Sequence, residues 1–159
     1  AKMESGEKIR FEEKDLGNVL RNVVRELAAM AGEKKVRIKT VAKGEFPALL
    51  NPLIFGAFSN LINNAIKYSP ENSEITIEIE DEDADWKICI ADRGPGVLDE
   101  NKKIIFERFK RVKKGDIKGT GLGLAIVKSV VDSHKGRVWV EDNPGGGSIF
   151  CVALPKITA

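Results

Sequence analysis

The sequence predicts an α+β domain: one mixed sheet with helices packed on one face. Apolar residues recur with a helical period in three stretches, near 16–30, 53–68 and 124–134. Strict alternation of apolar and polar residues marks strands between them, and most of those strands follow one another as hairpins. Strands joined mainly to strands, with helices set apart, place the chain in the α+β class and not among doubly wound parallel sheets. At 159 residues and 42% hydrophobic, the chain suits one domain around a single core.

The elements follow in order. Residues 1–14 begin with the polar, patternless AKMESGEKIR and read as a linker or cloning remnant, with the domain at 15–159. Leu16, Val19, Leu20, Val23, Leu27 and Met30 line one face of a helix over 15–31, for which Gly32 is the expected stop. Val36, Ile38 and Thr40 form a short strand before the turn-forming KGEFP. Asn51-Pro52 reads as a cap followed by a first-turn proline, opening a helix that ends at Tyr68 before Ser69-Pro70. Ile75, Ile77 and Ile79 pair with Trp86, Ile88 and Ile90 across the acidic turn DEDAD. DRGPG, a short helical run around NKKIIFERF and the basic loop KRVKKGDIKGTG come next. The helix LGLAIVKSVVDSH, with Gly136 as its expected stop, leads to a hairpin of RVWVE and SIFCVALP across DNPGGG.

Charge and cysteine usage narrow the function. A net charge of +2 gives no overall field for nucleic acid, and no apolar run reaches the roughly 20 residues that span a bilayer. Cys89 and Cys151, each inside a β-like run, suit small buried hydrophobes in a reducing cytosol better than a disulfide or metal site. With one histidine and two cysteines, the chain is close to lacking the ligands for a structural zinc site.

Polar chemistry concentrates in four places: NLINNAIKYS (60–69), DRGPG (92–96), KGTGLGL (118–124) and PGGGS (144–148). Three asparagines on an otherwise apolar helix lower its propensity and resist burial, so a polar ligand is expected beside them. Asn60 and Asn64, spaced i and i+4, share one side of the helix, and Lys67 falls near it, whereas Asn63 points elsewhere. KGTGLGL runs straight into a helix whose first N–H groups favour phosphate. It is neither a Walker loop, which ends in Gly-Lys-Ser/Thr, nor a dinucleotide fingerprint, which follows a strand and spaces its third glycine differently.

An Asn-rich helix, Asp-x-Gly-x-Gly, Phe-Glu-Arg-Phe, Gly-Thr-Gly-Leu-Gly-Leu and a triple-glycine turn, in that order, resemble the catalytic ATP-binding domain of sensor histidine kinases. The resemblance covers residues 15–156 and includes that family's N box, first glycine box, F box, second glycine box and terminal glycine turn. It implies a two-layer α/β sandwich of the Bergerat type, with ATP bound between the helices under a mobile lid.

The resemblance also implies roles. Asn64 supplies an amide oxygen to Mg²⁺; Asn60 faces the same cavity, Lys67 meets phosphate and Tyr68 lies against the ring or sugar. Mg²⁺ keeps few protein ligands, so a neutral Asn suffices when ATP brings the negative charge. Where ATP-hydrolysing relatives carry a Glu base, this chain has Asn60, whose amide accepts no proton from water, while a neutral histidine acceptor needs no base. Asp92 reads the exocyclic amine of adenine, Gly94 and Gly96 let backbone approach the base, and Ser148 adds a contact there. Phe106 and Phe109 pin the start of the lid, Arg108 reaches the terminal phosphate, and Gly119, Thr120, Gly121, Leu122, Gly123 and Leu124 present the phosphate-binding helix start. Asn60, Lys67 and Arg108 are thus the expected catalytic residues.

Expected cofactors and partners are ATP (or ADP) and Mg²⁺, a separate dimerisation domain bearing the phosphoacceptor histidine, and a response regulator. The isolated domain is expected to be a cytoplasmic monomer within a homodimeric protein, either membrane-anchored or soluble. His134, at the end of the last helix, is expected to be structural, a cation favourable to the helix dipole and not the acceptor. An ATPase or clamp of the same superfamily and a non-catalytic nucleotide-binding module are the alternatives.

Overall fold

A computed structural model describes residues 10–107 and 123–157. Its order is β1 (Glu12–Asp15), α1 (Leu16–Lys34), β2 (Arg37–Val41), β3 (Pro47–Leu50), α2 (Leu53–Tyr68), β4 (Glu74–Glu82), β5 (Asp85–Ala91), two 3-10 turns (Asp99–Asn101 and Ile104–Phe106), α3 (Gly123–Ser133), β6 (Arg137–Asp142) and β7 (Ser148–Pro155). The main sheet runs β2-β4-β5-β7-β6. β2 pairs with β4 in parallel and the other neighbours pair antiparallel, so the sheet is mixed as expected.

Alternation along the strands decides the layering. Ile75 and Ile77 of β4, Ile88 and Ile90 of β5, and Val152 and Leu154 of β7 are buried. They meet Leu16, Leu20 and Val23 of α1, Phe58, Leu61, Ile62 and Ile66 of α2, and Val127 and Val131 of α3 in one core. The intervening positions, among them Thr76, Glu78, Glu80 and Lys87, form the opposite face of the sheet. The helices thus cover one face, and the domain has two layers.

Local chemistry sets the helix ends. The side-chain oxygen of Asn51 accepts from the Leu53 N–H at 2.9 Å, the cap expected before Pro52. The glycines expected to stop the other two helices do not take the left-handed position; Lys35 and Lys135, both at φ 62°, do. At each end a pair of carbonyls is satisfied in the same way. Lys35 N–H donates to Gly32 and Val36 N–H to Ala31; Lys135 N–H donates to Asp132 and Gly136 N–H to Val131. These are Schellman closures, in which two backbone hydrogen bonds and, at α1, the burial of Val36 against Ala31 offset the strain of a non-glycine residue.

Three expectations are corrected. Residues 12–14, read as linker, lie in β1, which pairs antiparallel with β3 in a separate two-stranded sheet. The end of KGEFP and the residues after it form β3, seated by Trp86 Nε1 donating to the Pro47 carbonyl at 2.9 Å and by an edge-on contact of Phe46 with Trp86. The helical run near NKKIIFERF is two 3-10 turns, as befits a segment too short to nucleate an α-helix.

Candidate nucleotide site

The last turn of α2, the loop after β5, the start of α3 and the first residues of β7 converge. Asn64, Tyr68, Asp92, Pro95, Gly96, Val97, Leu124, Ser148 and Phe150 line a cavity of about 30 Å³ between them. Six of these nine were expected site residues; Pro95, Val97 and Phe150, which form its apolar wall, were not. A larger cavity of about 770 Å³ lies between α1, β1 and the start of α2, but none of the expected site residues lines it.

Asp92 is the best-defined group. It is 5% exposed, and its Oδ1 accepts from the N–H of Gly94 at 2.8 Å and of Ser148 at 3.2 Å. Burial pushes its carboxyl above the usual carboxylate range, against the pull of those two N–H groups and of the neighbouring Arg93. Both bonds use Oδ1, and Oδ2 has no donor among the described residues.

The backbone around Asp92 is clamped from the glycine turn. Its N–H donates to the Ser148 carbonyl at 2.8 Å, and Asn143 Nδ2 donates to its carbonyl at 2.7 Å. Arg93 Nη1 donates to the carbonyls of Pro144 (2.6 Å) and Gly146 (3.1 Å), locking DRGPG onto PGGGS. A methyl group on Gly147 would stand 2.0 Å from the Asp92 carbonyl oxygen, and Gly147 has φ 104°. One on Gly94 would stand 2.8 Å from the Tyr68 carbonyl oxygen. At both positions the absence of a side chain is what lets the chains meet.

On α2 the three asparagines are half-buried, and none of their side chains makes a hydrogen bond among the described residues. Asn60 and Asn64 lie on the flank of the helix beside its buried stripe, about 40° apart. Asn64 reaches the cavity; Asn60, one turn earlier, does not line it. Lys67 is exposed, with Nζ 5.8 Å from the centre of the Tyr68 ring. Gly94 and Gly123 do not line the cavity, and Phe106 is buried behind it, edge-on to Phe150 at 6.1 Å. Arg108, Phe109, Gly119, Thr120, Gly121 and Leu122 lie outside the described residues, as does the rest of the expected lid up to residue 122.

Residues 51–158 match the family described as histidine kinase-, DNA gyrase B- and HSP90-like ATPases. The chain belongs to this family. It is 34% identical over 146 residues to the sensor-like histidine kinase SenX3 of Mycolicibacterium smegmatis, covering 89% of this chain and 38% of that protein. The catalytic domain of histidine kinase ThkA superposes with a TM-score of 0.83 at 28% identity, over 93% of this chain and 97% of that one. Full-length ShkA, solved in complex with AMPPNP, superposes with a TM-score of 0.83 at 27% identity, over 96% of this chain and 32% of that one. The chain therefore corresponds to the ATP-binding catalytic domain of sensor histidine kinases and spans well under half of the length of curated relatives such as SenX3.

Within that family frame, two local features were beyond the motifs. Arg93, the second residue of DRGPG, has no role in the motif reading, yet its guanidinium adds two of the hydrogen bonds that join the two glycine segments. His134 is structural as expected, but not as a cation. Its Nε2 accepts from the Asn51 backbone N–H at 3.1 Å and its Nδ1 lies 2.8 Å from the Val130 carbonyl, an arrangement that fits the neutral ring with its proton on Nδ1. Burial lowers its pKa, outweighing the hydrogen bond to Val130.

Proposed function

We propose that this domain binds Mg-ATP and transfers its terminal phosphoryl group to a histidine on a separate dimerisation domain, from which it passes to an aspartate of a response regulator. One observation carries the reading: Asn64, Tyr68 and Asp92, set on α2 and the loop after β5, line one cavity in which Asp92 presents a carboxylate oxygen that has no partner among the described residues. Oδ2 accepts the exocyclic amine of adenine, while Gly94 and Ser148 hold Oδ1 and so fix the plane of the carboxylate. Guanine presents a carbonyl at that position and is refused.

The side chains fit a magnesium ion carried in by phosphate. Among the described residues Asn64 offers a neutral amide with no competing hydrogen bond, and no group of three or more His, Cys, Asp or Glu makes an all-protein metal cage. When bound, Mg²⁺ neutralises charge on the phosphate oxygens. Lys67 and Arg108 add cations on the phosphate side, and the backbone of residues 119–123 cradles the phosphates; for residues 108–122 this rests on sequence resemblance. Transfer then depends on positioning and charge stabilisation, because phosphoryl transfer passes through a loose transition state. Asn60 supplies no base for water, which favours a histidine acceptor over hydrolysis.

The test mixes the domain with histidine-hairpin domains from the same genome and γ-labelled ATP with Mg²⁺, using Asn64→Asp and Asp92→Ala as controls. Acid-labile, base-stable label on a partner, absent in both controls, is the expected result. Steady release of free phosphate with no labelled partner would replace this reading by that of an ATPase. Among the described residues no helix is long and apolar enough to cross a membrane.

A further inference from the structure

Cys89 and Cys151 stand 62 positions apart in the chain and directly opposite one another in the sheet, as a cross-strand pair of β5 and β7. Their sulfurs are 3.9 Å apart and both are free thiols. Opposed residues of an antiparallel pair have Cα atoms about 4.5–5.5 Å apart, inside the range of about 4.4–6.8 Å that a disulfide requires. Closing the bond therefore asks for side-chain rotation and not for a new strand register.

The pair sits on the sheet face opposite the core, which no helix among the described residues covers. Cys89 lines a cavity of about 380 Å³ together with Glu78, Glu80, Lys87 and Glu141, whereas Cys151 is fully buried beside it. The two thiols are thus inequivalent in access: a reagent reaches Cys89, and Cys151 waits behind it. Their electrostatics run the same way. The S–H of Cys151 and the Lys87 ammonium favour the thiolate of Cys89, outweighing burial, Glu80 and Glu141. The hydrogen bond to Cys89, burial and the charge on Cys89 push the Cys151 thiol up.

We propose that Cys89 and Cys151 form a two-electron oxidation site, closed to an intradomain disulfide by low-molecular-weight disulfides such as glutathione disulfide. The Cys89 thiolate attacks one sulfur of glutathione disulfide; a Cys89–glutathione bond forms, the glutathione S–S bond breaks and one glutathione thiolate leaves. Capping removes the charge on Cys89 that opposed ionisation of its neighbour. Cys151 then loses its proton to solvent and attacks Cys89 Sγ, expelling the second glutathione thiolate. The dithiol has given up two electrons and two protons, and one glutathione disulfide has become two glutathiones.

The experiment incubates the folded 159-residue chain with glutathione disulfide, quenches in acid, alkylates free thiols in denaturant and maps the products by mass. The expected product is a monomer lighter by two hydrogens, with neither cysteine alkylated, the peptides of Cys89 and Cys151 linked, and full reversal by dithiothreitol. Cys151→Ala should stop at a stable glutathione adduct on Cys89, and Cys89→Ala should leave Cys151 unmodified while the protein is folded. Both cysteines remaining alkylatable under conditions that modify the urea-unfolded chain would overturn the proposal. So would a cross-link between two molecules, or an adduct on Cys89 of the unmutated chain that never resolves.

Discussion

The backbone N–H of Asn51, at the start of α2, donates to Nε2 of His134, at the end of α3, across 3.1 Å. The bond joins the helix that carries Asn64 to the helix that follows the second glycine box, and it exists only while the imidazole is neutral. Protonating Nε2 removes the acceptor and leaves a buried N–H facing a cation.

Stability should therefore fall in mild acid. The folded-state pKa of His134 lies below its unfolded value, so the unfolded chain binds more protons in between. The contribution is complete above the unfolded value of about 6.5 and is lost as pH falls through the folded value. Asp92, whose folded pKa is raised, acts in the opposite sense nearer the carboxylate range. Urea unfolding at pH 7.5 and 5.5 should show the decline in the parent chain. His134→Leu, costing about 1–3 kcal/mol at pH 7.5 through the unpaired Asn51 N–H, should flatten it; an unchanged slope in that variant would place the titration elsewhere.

Two adjacent glycines in the 144–148 turn should behave differently. Gly146 has φ 119°, and nothing lies within 4 Å of where a methyl group on it would stand, so Gly146→Ala adds only backbone strain, about 1–3 kcal/mol. Gly147→Ala adds a contact of 2.0 Å with the Asp92 carbonyl oxygen, which only a backbone shift relieves. Thermal melts should rank Gly147→Ala the lower of the two, and only that variant should lose nucleotide affinity. Equal melting temperatures and equal affinities would show that the turn yields freely at both positions.

The balance between what the residues foretold and what folding added is visible at this site. The α2 boundaries, the β4–β5 and β6–β7 hairpins and the position of Asp92 at a strand end follow from period and turn chemistry, which act over a few residues. β1 and β3 were missed because strands of four residues carry too little alternation to register, and their pairing joins segments more than thirty positions apart. The same distance hid the cysteine pair and the Arg93 clamp. Helix closure at Lys35 and Lys135 was missed because a Schellman motif selects by hydrogen bonds and burial as well as by glycine. Asn64, Asp92 and Ser148 were legible because each stands inside a motif, whereas Val97 and Phe150 look like any other core residue until the cavity beside them is seen.

Asp92→Asn should change which base the pocket prefers. The amide keeps the shape, and its oxygen can still accept from Gly94 and Ser148, but the atom facing the base becomes an N–H₂ donor. Adenine then meets donor against donor, while hypoxanthine, with a carbonyl at that position, gains a partner. Losing a hydrogen bond to a charged group, about 1.5–3 kcal/mol, corresponds to roughly tenfold to hundredfold in ADP affinity. Calorimetric titration with ADP and IDP should show the adenine preference proposed for the parent chain shrink or invert in the variant. A variant that still prefers ADP by the parent's ratio would mean that another group reads the base.

Asn64→Ala should separate stability from metal-dependent binding. Alanine is the better helix former by about 0.5 kcal/mol, and the Asn64 amide makes no hydrogen bond among the described residues whose loss would offset the gain. The unliganded variant should therefore melt at or slightly above the temperature of the parent. On the proposed function, ATP binding by the parent depends on Mg²⁺; in titrations with the metal and again with EDTA the variant should lose that dependence, because the amide oxygen proposed to meet the metal is gone while Asp92 is retained. A structural asparagine would give the reverse pattern, a lower melting temperature with the Mg²⁺ response intact, so the two measurements on one variant decide whether the amide at position 64 serves the helix or the phosphate-bound metal.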